Sequence, residues 1–247
     1  MLYLIGLGIW DEKDLSLRGA EACRKCKEVY AELYTARWGG SLKNLEKLTG
    51  KKIKLLERSD LEERSFQLVK KARSMDIAIL FPGDPLSATT HLSLVSEAHQ
   101  EKIPVKIIHS SSIFTAVAEC GLSLYNFGKT VSIPTPQKGF APTSFAESIL
   151  DNRKSGLHTL LLLDITMPVS QAIDILLGIE KSLKKKIISD QKIVAVSRLG
   201  SEKQKILYAS AGSLLASDLS PPATLIIPGK MHFTEKEFLE KLQKAAD

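Results

Sequence analysis

Apolar residues come in short runs along this chain, and the runs alternate with stretches of helical period. Residues 1 to 5 (MLYLI) predict a first strand, closed by Gly6-Leu7-Gly8. Apolar positions at helical spacing follow over 15–26 (LSLRGAEACRKC). Residues 29–35 (VYAELYT) are rich in β-formers and predict a second strand. Residues 41–50 (SLKNLEKLTG) read as a short helix with Gly50 at its C-cap, and 52–56 (KIKLL) as a third strand. Ser59 and Glu62, three apart, predict a capping box for a helix over 61–74. The next strand, 77–81 (IAILF), runs into Pro82-Gly83-Asp84-Pro85. A helix over 91–100 and a strand over 104–109 come after it. Such alternation predicts a mainly parallel, doubly wound sheet.

The pattern changes near residue 112. Residues 130–134 predict a strand, and 134–144 are rich in Pro, Thr and Gly. A helix over 145–156 leads into HTLLLLDI (158–165), an apolar run that suits a buried strand. A long helix follows over 169–186. KIVAVSRLGS and KILYAS are separated by a few residues, which predicts an antiparallel pair. TLIIPG supplies another strand, and Thr234 with Glu237 predicts the cap of a final helix. The fold class expected is α/β in two lobes. Residues 1–112 would carry the mainly parallel sheet and 113–247 a mixed sheet, with a ligand cleft between them.

With 247 residues, 44% of them hydrophobic, the chain suffices for one large domain or two small ones. No apolar run reaches the roughly 20 residues that span a bilayer. The N-terminus lacks a basic leader and a small-residue cleavage site, so a cytoplasmic location is expected. The net charge is +6, but the basic residues are spread out. Their densest cluster, Lys181 to Lys186, reads as a solvated helix end, where cations suit the dipole, set against a partner contact. Cys23 and Cys26 form a C-x-x-C pair without further ligands in sequence and read as plain buried or half-buried thiols. The five histidines are scattered, so no metal site is indicated.

The chemistry must therefore come from strand-end turns. Gly-rich or small residues follow the first, fourth and fifth strands as GLGI, PGDP and SSSI. They recur as DITMP, RLGS and PGK in the second half. Pro-Gly-Asp-Pro alone is ordinary turn chemistry, but open α/β sheets bind ligands at the carboxyl ends of their strands. Asp11 stands where the last glycine of G-x-G-x-x-G belongs, so a dinucleotide site is weakly supported. GxxxxGK[ST], G-x-S-x-G and H-E-x-x-H are absent. A cleft of backbone amides, hydroxyls, apolar side chains and one or two acids suits a small zwitterion with an apolar ring.

MLYLIGLGIWDEKDLSLRGAE, FPGDPLSATTH, IIHSSSIFTAVAECGLSLYNFGK, GLHTLLLLDI and SRLGS…PPATLIIPGKMHF together resemble the diphthine synthases, within the superfamily of tetrapyrrole-type methyltransferases. The likeness runs in order through nearly the whole chain. It implies a homodimer of two-lobed subunits that binds S-adenosylmethionine. It implies methyl transfer to the amine of an aminocarboxypropyl-histidine on translation elongation factor 2. Archaeal members stop at the trimethylated amine; eukaryotic members, which tend to be longer, also methylate a carboxylate. By length this chain looks archaeal. Membrane and nucleic acid are not among the expected partners.

The resemblance implies a cofactor site made of Ile9, Asp84, Ser87, Ser112 and Ile113 from the first half, with Leu163, Leu199 and Ala223 from the second. Ser87 stands where an apolar residue is common, and Ala223 where a histidine often follows the two prolines. No catalytic residue is implied. His91 is a candidate base for the acceptor amine, set against an N-cap or core histidine. Arg198 is a candidate for the acceptor's carboxylate, set against a surface pair. The alternatives are a tetrapyrrole or ribosomal RNA methyltransferase of the same fold, or a non-catalytic nucleotide-binding module.

Overall fold

The computed structural model describes residues 1–136 and 143–246. The expected Pro-, Thr- and Gly-rich segment over 134–144 lies largely outside them. The chain forms two compact units, Met1–Ala116 and Val117–Asp247.

The first unit contains β1 (Leu2–Gly6), α1 (Leu17–Lys25), β2 (Glu28–Glu32), α2 (Leu42–Thr49), β3 (Ile53–Leu56), α3 (Arg58–Glu62), α4 (Ser65–Ala72), β4 (Ile77–Phe81), α5 (Leu92–Gln100), β5 (Val105–Ile108) and α6 (Ile113–Ala116). Its sheet has the order β3-β2-β4-β1-β5, and every pairing is parallel. Strand β4 is central and buried on both faces, which is why its sequence is an unbroken apolar run. Alternation sends Ile77, Ile79 and Phe81 to one face, against α4 and α5. Ala78 and Leu80 go to the other, against α1 and α2. The edge strand β3 is buried only at its two ends.

The second unit contains β6 (Val131–Ile133), α7 (Ser144–Lys154), β7 (Thr159–Leu163), α8 (Val169–Leu183), β8 (Ile193–Ser197), β9 (Lys205–Ala209), α9 (Ala211–Leu215), β10 (Ala223–Ile227) and α10 (Phe233–Ala246). Its sheet order is β6-β7-β10-β8-β9. Only β6–β7 is parallel; β10 runs antiparallel to both β7 and β8, and β8 to β9. Ile133, Leu161, Ile193, Ala195, Leu225 and Ile227 pack with α7, α8 and α9 on one face. The mixed sheet and the antiparallel pair are as the sequence predicts.

Two helix starts differ from expectation. The predicted helix over 61–74 is two helices, and Ser59 does not cap either. The first begins at Arg58, because the Asp60 carboxylate accepts the Glu57 N–H at 2.8 Å. It ends where Glu63 N and Arg64 N both donate to the Ser59 carbonyl. At the last helix the cap is His232 with Glu235, not Thr234 with Glu237. The Glu235 carboxylate accepts His232 N at 2.7 Å and also Ser123 N at 2.8 Å. Several acids stand three residues after a plausible cap in both segments, and tertiary contacts choose among them.

Candidate functional site

In the first unit the chemistry-bearing residues gather at the carboxyl ends of β4, β1 and β5, three adjacent strands. Gly6 ends β1 between its two neighbours. A Cβ on Gly6 would lie 2.5 Å from the Gly83 carbonyl oxygen and 2.7 Å from Ser110 Cβ. Only glycine lets the two flanking loops close over the strand. Gly8 and Gly83, at φ 83° and 71°, then exchange backbone hydrogen bonds of 3.1 and 2.8 Å. The GLG loop and the PGDP turn are thus one unit, with Ile9 half-buried beside it. Asp14 shapes the rest of the first loop by accepting Trp10 N at 2.7 Å.

Asp84 sits at the centre of this assembly and is only 8% exposed. Its Oδ1 accepts Leu86 N at 3.0 Å and Ser87 Oγ at 3.3 Å. Its Oδ2 accepts Ser110 N at 3.2 Å and faces His109 Nδ1 at 2.7 Å. Burial pushes this carboxyl upward, but the N–H groups of Leu86 and Ser110 and the His109 ring outweigh it. The net effect holds Asp84 below the usual carboxylate range. The carboxylate therefore ties the β4 loop to the β5 loop across β1. Ser112 is buried, and its carbonyl accepts Thr115 N and Ala116 N at the start of α6. Its Cβ lies 3.8 Å from where a Gly83 Cβ would stand. Ile113 begins α6 and is half-buried. Ile9, Asp84, Ser87, Ser112 and Ile113 are thereby brought to one end of one sheet.

Leu163, Leu199 and Ala223 are brought together separately, at one end of the second sheet. The register pairs Ala223 with Ser197 and Thr224 with Leu162. The carboxyl ends of β7 and β8 thus meet the amino end of β10. Arg198, at φ 53°, donates its N–H to the Pro222 carbonyl at 2.8 Å and sets Leu199 into the core.

His91 lies at the N-cap of α5 and is 8% exposed. Its Nδ1 is 3.2 Å from the Pro85 carbonyl, and its ring packs on Phe81 at 4.1 Å between centroids. Burial lowers its pKa, against the pull of Glu32. The histidine that reaches the sheet's end with an open face is His109, whose side chain is 69% exposed. Sequence reasoning passed over it. The signal available was its place just before SSSI, at a strand end.

Cys23 and Cys26 are fully buried. Burial, first of all, pushes their thiols up to about 12 and about 11.

The model of the tetrapyrrole (corrin/porphyrin) methylases matches residues 1–215. The chain belongs to the tetrapyrrole methylase family. Within that family it is 41% identical to the diphthine synthase of Methanocaldococcus jannaschii, over 98% of both chains. It is 39% identical to the diphthine methyl ester synthase of Schizosaccharomyces pombe, over 97% of this chain and 93% of that one. A crystal structure of diphthine synthase superposes with a TM-score of 0.89 at 35% identity, covering 98% of this chain and 96% of that one. Both five-stranded sheets are therefore those of a methylase fold.

Proposed function

We propose that this chain, a methyltransferase of diphthamide biosynthesis, takes its methyl groups from S-adenosylmethionine. We further propose that it transfers them to the aminocarboxypropyl-histidine of translation elongation factor 2. The observation that carries this reading is end-to-end likeness to diphthine synthases, at 41% identity over 98% of both chains. The donor fits the residue types present. Bound, it supplies a methyl group on a positively charged sulfur. Ile9, Ile113 and Leu163 offer half-buried apolar surface that suits an adenosine. Asp84 has spent its oxygens on protein donors, so it serves as a fixed negative charge rather than as a free hydrogen-bond acceptor. Such a charge still favours a nearby sulfonium. Ser87, Ser112, Leu199 and Ala223 complete the proposed contact set.

Methyl transfer needs alignment and the exclusion of water, and it calls for no covalent nucleophile. Loops cross-tied by Gly8, Gly83 and Asp84 are ordered before the ligand arrives, so little entropy is lost on binding. The substrate proposed is a protein, and we propose neither a nucleic acid nor a membrane as a further partner. Among the described residues no helix is long and apolar enough to cross a membrane. We place the enzyme in the cytoplasm with the translation machinery and assign it a homodimeric state.

The test is a titration with S-adenosylmethionine followed by labelled-methyl transfer to elongation factor 2 carrying the precursor side chain. Saturable binding and label on the factor are expected. Absence of binding, or label on RNA or a tetrapyrrole alone, would overturn the reading. Mass measurement of the product gives the number of methyl groups and whether one is on a carboxylate.

A further inference from the structure

We infer that His109, braced by Asp84, is the general base that takes the proton from the acceptor amine. The inference rests on the methyltransferase reading above and adds a catalytic residue to it. An amine attacks a methyl carbon only through a free lone pair, yet alkylamines are protonated near neutral pH. Each transfer therefore needs one proton removed first.

His109 follows the last residue of β5, at the same strand ends as Asp84, Ser110 and Ser112. Its Nδ1 lies 2.7 Å from Asp84 Oδ2. The carboxylate is ionised, since its pKa is held down, so it can only accept. The proton of the neutral ring consequently sits on Nδ1, and the lone pair on Nε2. Among the described residues nothing bonds Nε2, and the side chain is 69% exposed. Asp84 is the one carboxylate in ion-pair range of this ring among the described residues. The arrangement is a buried acid orienting an imidazole whose far nitrogen is open. It is the general design of a positioned base.

The step balances simply. His109 Nε2 takes one proton from the acceptor ammonium. The freed nitrogen lone pair then forms the new C–N bond. The carbon–sulfur bond breaks, and its electron pair stays with the departing thioether. Asp84 stabilises the imidazolium until water removes the proton. A bracing role alone explains His109 less well. Asp84 already holds Leu86 N, Ser110 N and Ser87 Oγ, and a partner whose ring is mostly in solvent adds little stability.

The test is His109→Asn, whose amide can occupy the Nδ1 position and donate to Asp84 but offers no Nε2. We expect unchanged melting temperature and unchanged S-adenosylmethionine affinity by calorimetry. Single-turnover methyl transfer should fall by roughly 10²- to 10⁴-fold, the range for lost general-base catalysis. The rate should recover as pH rises and the amine deprotonates unaided. Transfer within threefold of the parent, with the same pH profile, would overturn the inference. A parent enzyme that moves no methyl group to the factor would sink the functional reading instead. If His109→Asn binds the donor poorly, His109→Gln and the pH profile decide. A low rate that stays flat with pH would also count against the base.

Discussion

The histidine–carboxylate pairs His109–Asp84 in the first unit and His158–Glu235 in the second use the same chemistry for different ends. In the first unit Asp84 accepts two backbone N–H groups and faces His109. In the second, Glu235 accepts the N–H groups of Ser123 and His232 and faces His158 Nε2 at 3.4 Å. Both carboxylates are buried. The imidazoles differ. His158 is 0% exposed, and its Nδ1 accepts Gly229 N at 2.9 Å, so both ring nitrogens are spent. His109 keeps one nitrogen for solvent. Exposure at a strand end, rather than the pair itself, separates a site from a strut.

If the second pair is a strut, breaking it should cost stability and nothing else. Glu235→Ala would strand Ser123 N, His232 N and the His158 ring, so a loss of about 3 kcal/mol is expected. Urea unfolding checks this, and S-adenosylmethionine affinity should not change. The same residue sets an acid limit. Burial pushes its carboxyl up, but the N–H groups of Ser123 and His232 override burial and bring it from 4.5 down to about 2. A depressed folded-state pKa gives stability that is present above the unfolded value and lost as pH falls. The parent should therefore lose about 3 kcal/mol more than Glu235→Ala between pH 4.5 and 2. Parallel acid curves would remove Glu235 from the account.

Asp84→Asn probes the first pair. An amide nitrogen in the Oδ2 position would meet both the Ser110 N–H and the His109 ring, and in the Oδ1 position the Leu86 N–H, donor against donor. Stability should fall by about 1–3 kcal/mol. Methyl transfer should fall as well, because His109 loses the group that fixes its tautomer. Joined to His109→Asn, the second change should add little further loss of rate, since the two act as one device. Fully additive losses would mean that Asp84 and His109 act separately.

The strand order explains why part of this was readable and part was not. Strand β4 could be read from IAILF alone, because a strand covered on both faces is apolar throughout. The strand-end turns at Gly8, Gly83 and Ser110 could be located from their small residues. The Asp84–His109 pair could not, because it depends on β5 lying beside β1 and β1 beside β4. That order folds two loops, 25 residues apart at these side chains, over Gly6. The helix starts failed for the opposite reason. Locally, Ser59 with Glu62 and Thr234 with Glu237 look as good as the pairs used. The burial of Glu235 against Ser123, a long-range contact, decides the second case.

The smallest effect is expected at the cysteines. Both thiols are in the core, so Cys23→Ala and Cys26→Ala each remove a buried sulfur, at a cost of about 1 kcal/mol. Methyl transfer should stay within twofold. A tenfold loss of rate in a folded double variant would give the pair a role that the geometry does not.

The most direct test of the contrast between the pairs is the ring tautomer of each histidine, read from long-range proton–nitrogen NMR correlations of the neutral rings. The geometry puts the His109 proton on Nδ1, with Nε2 free, and the His158 proton on Nε2. A His109 ring protonated on Nε2 would leave no lone pair for the acceptor's proton and would contradict it.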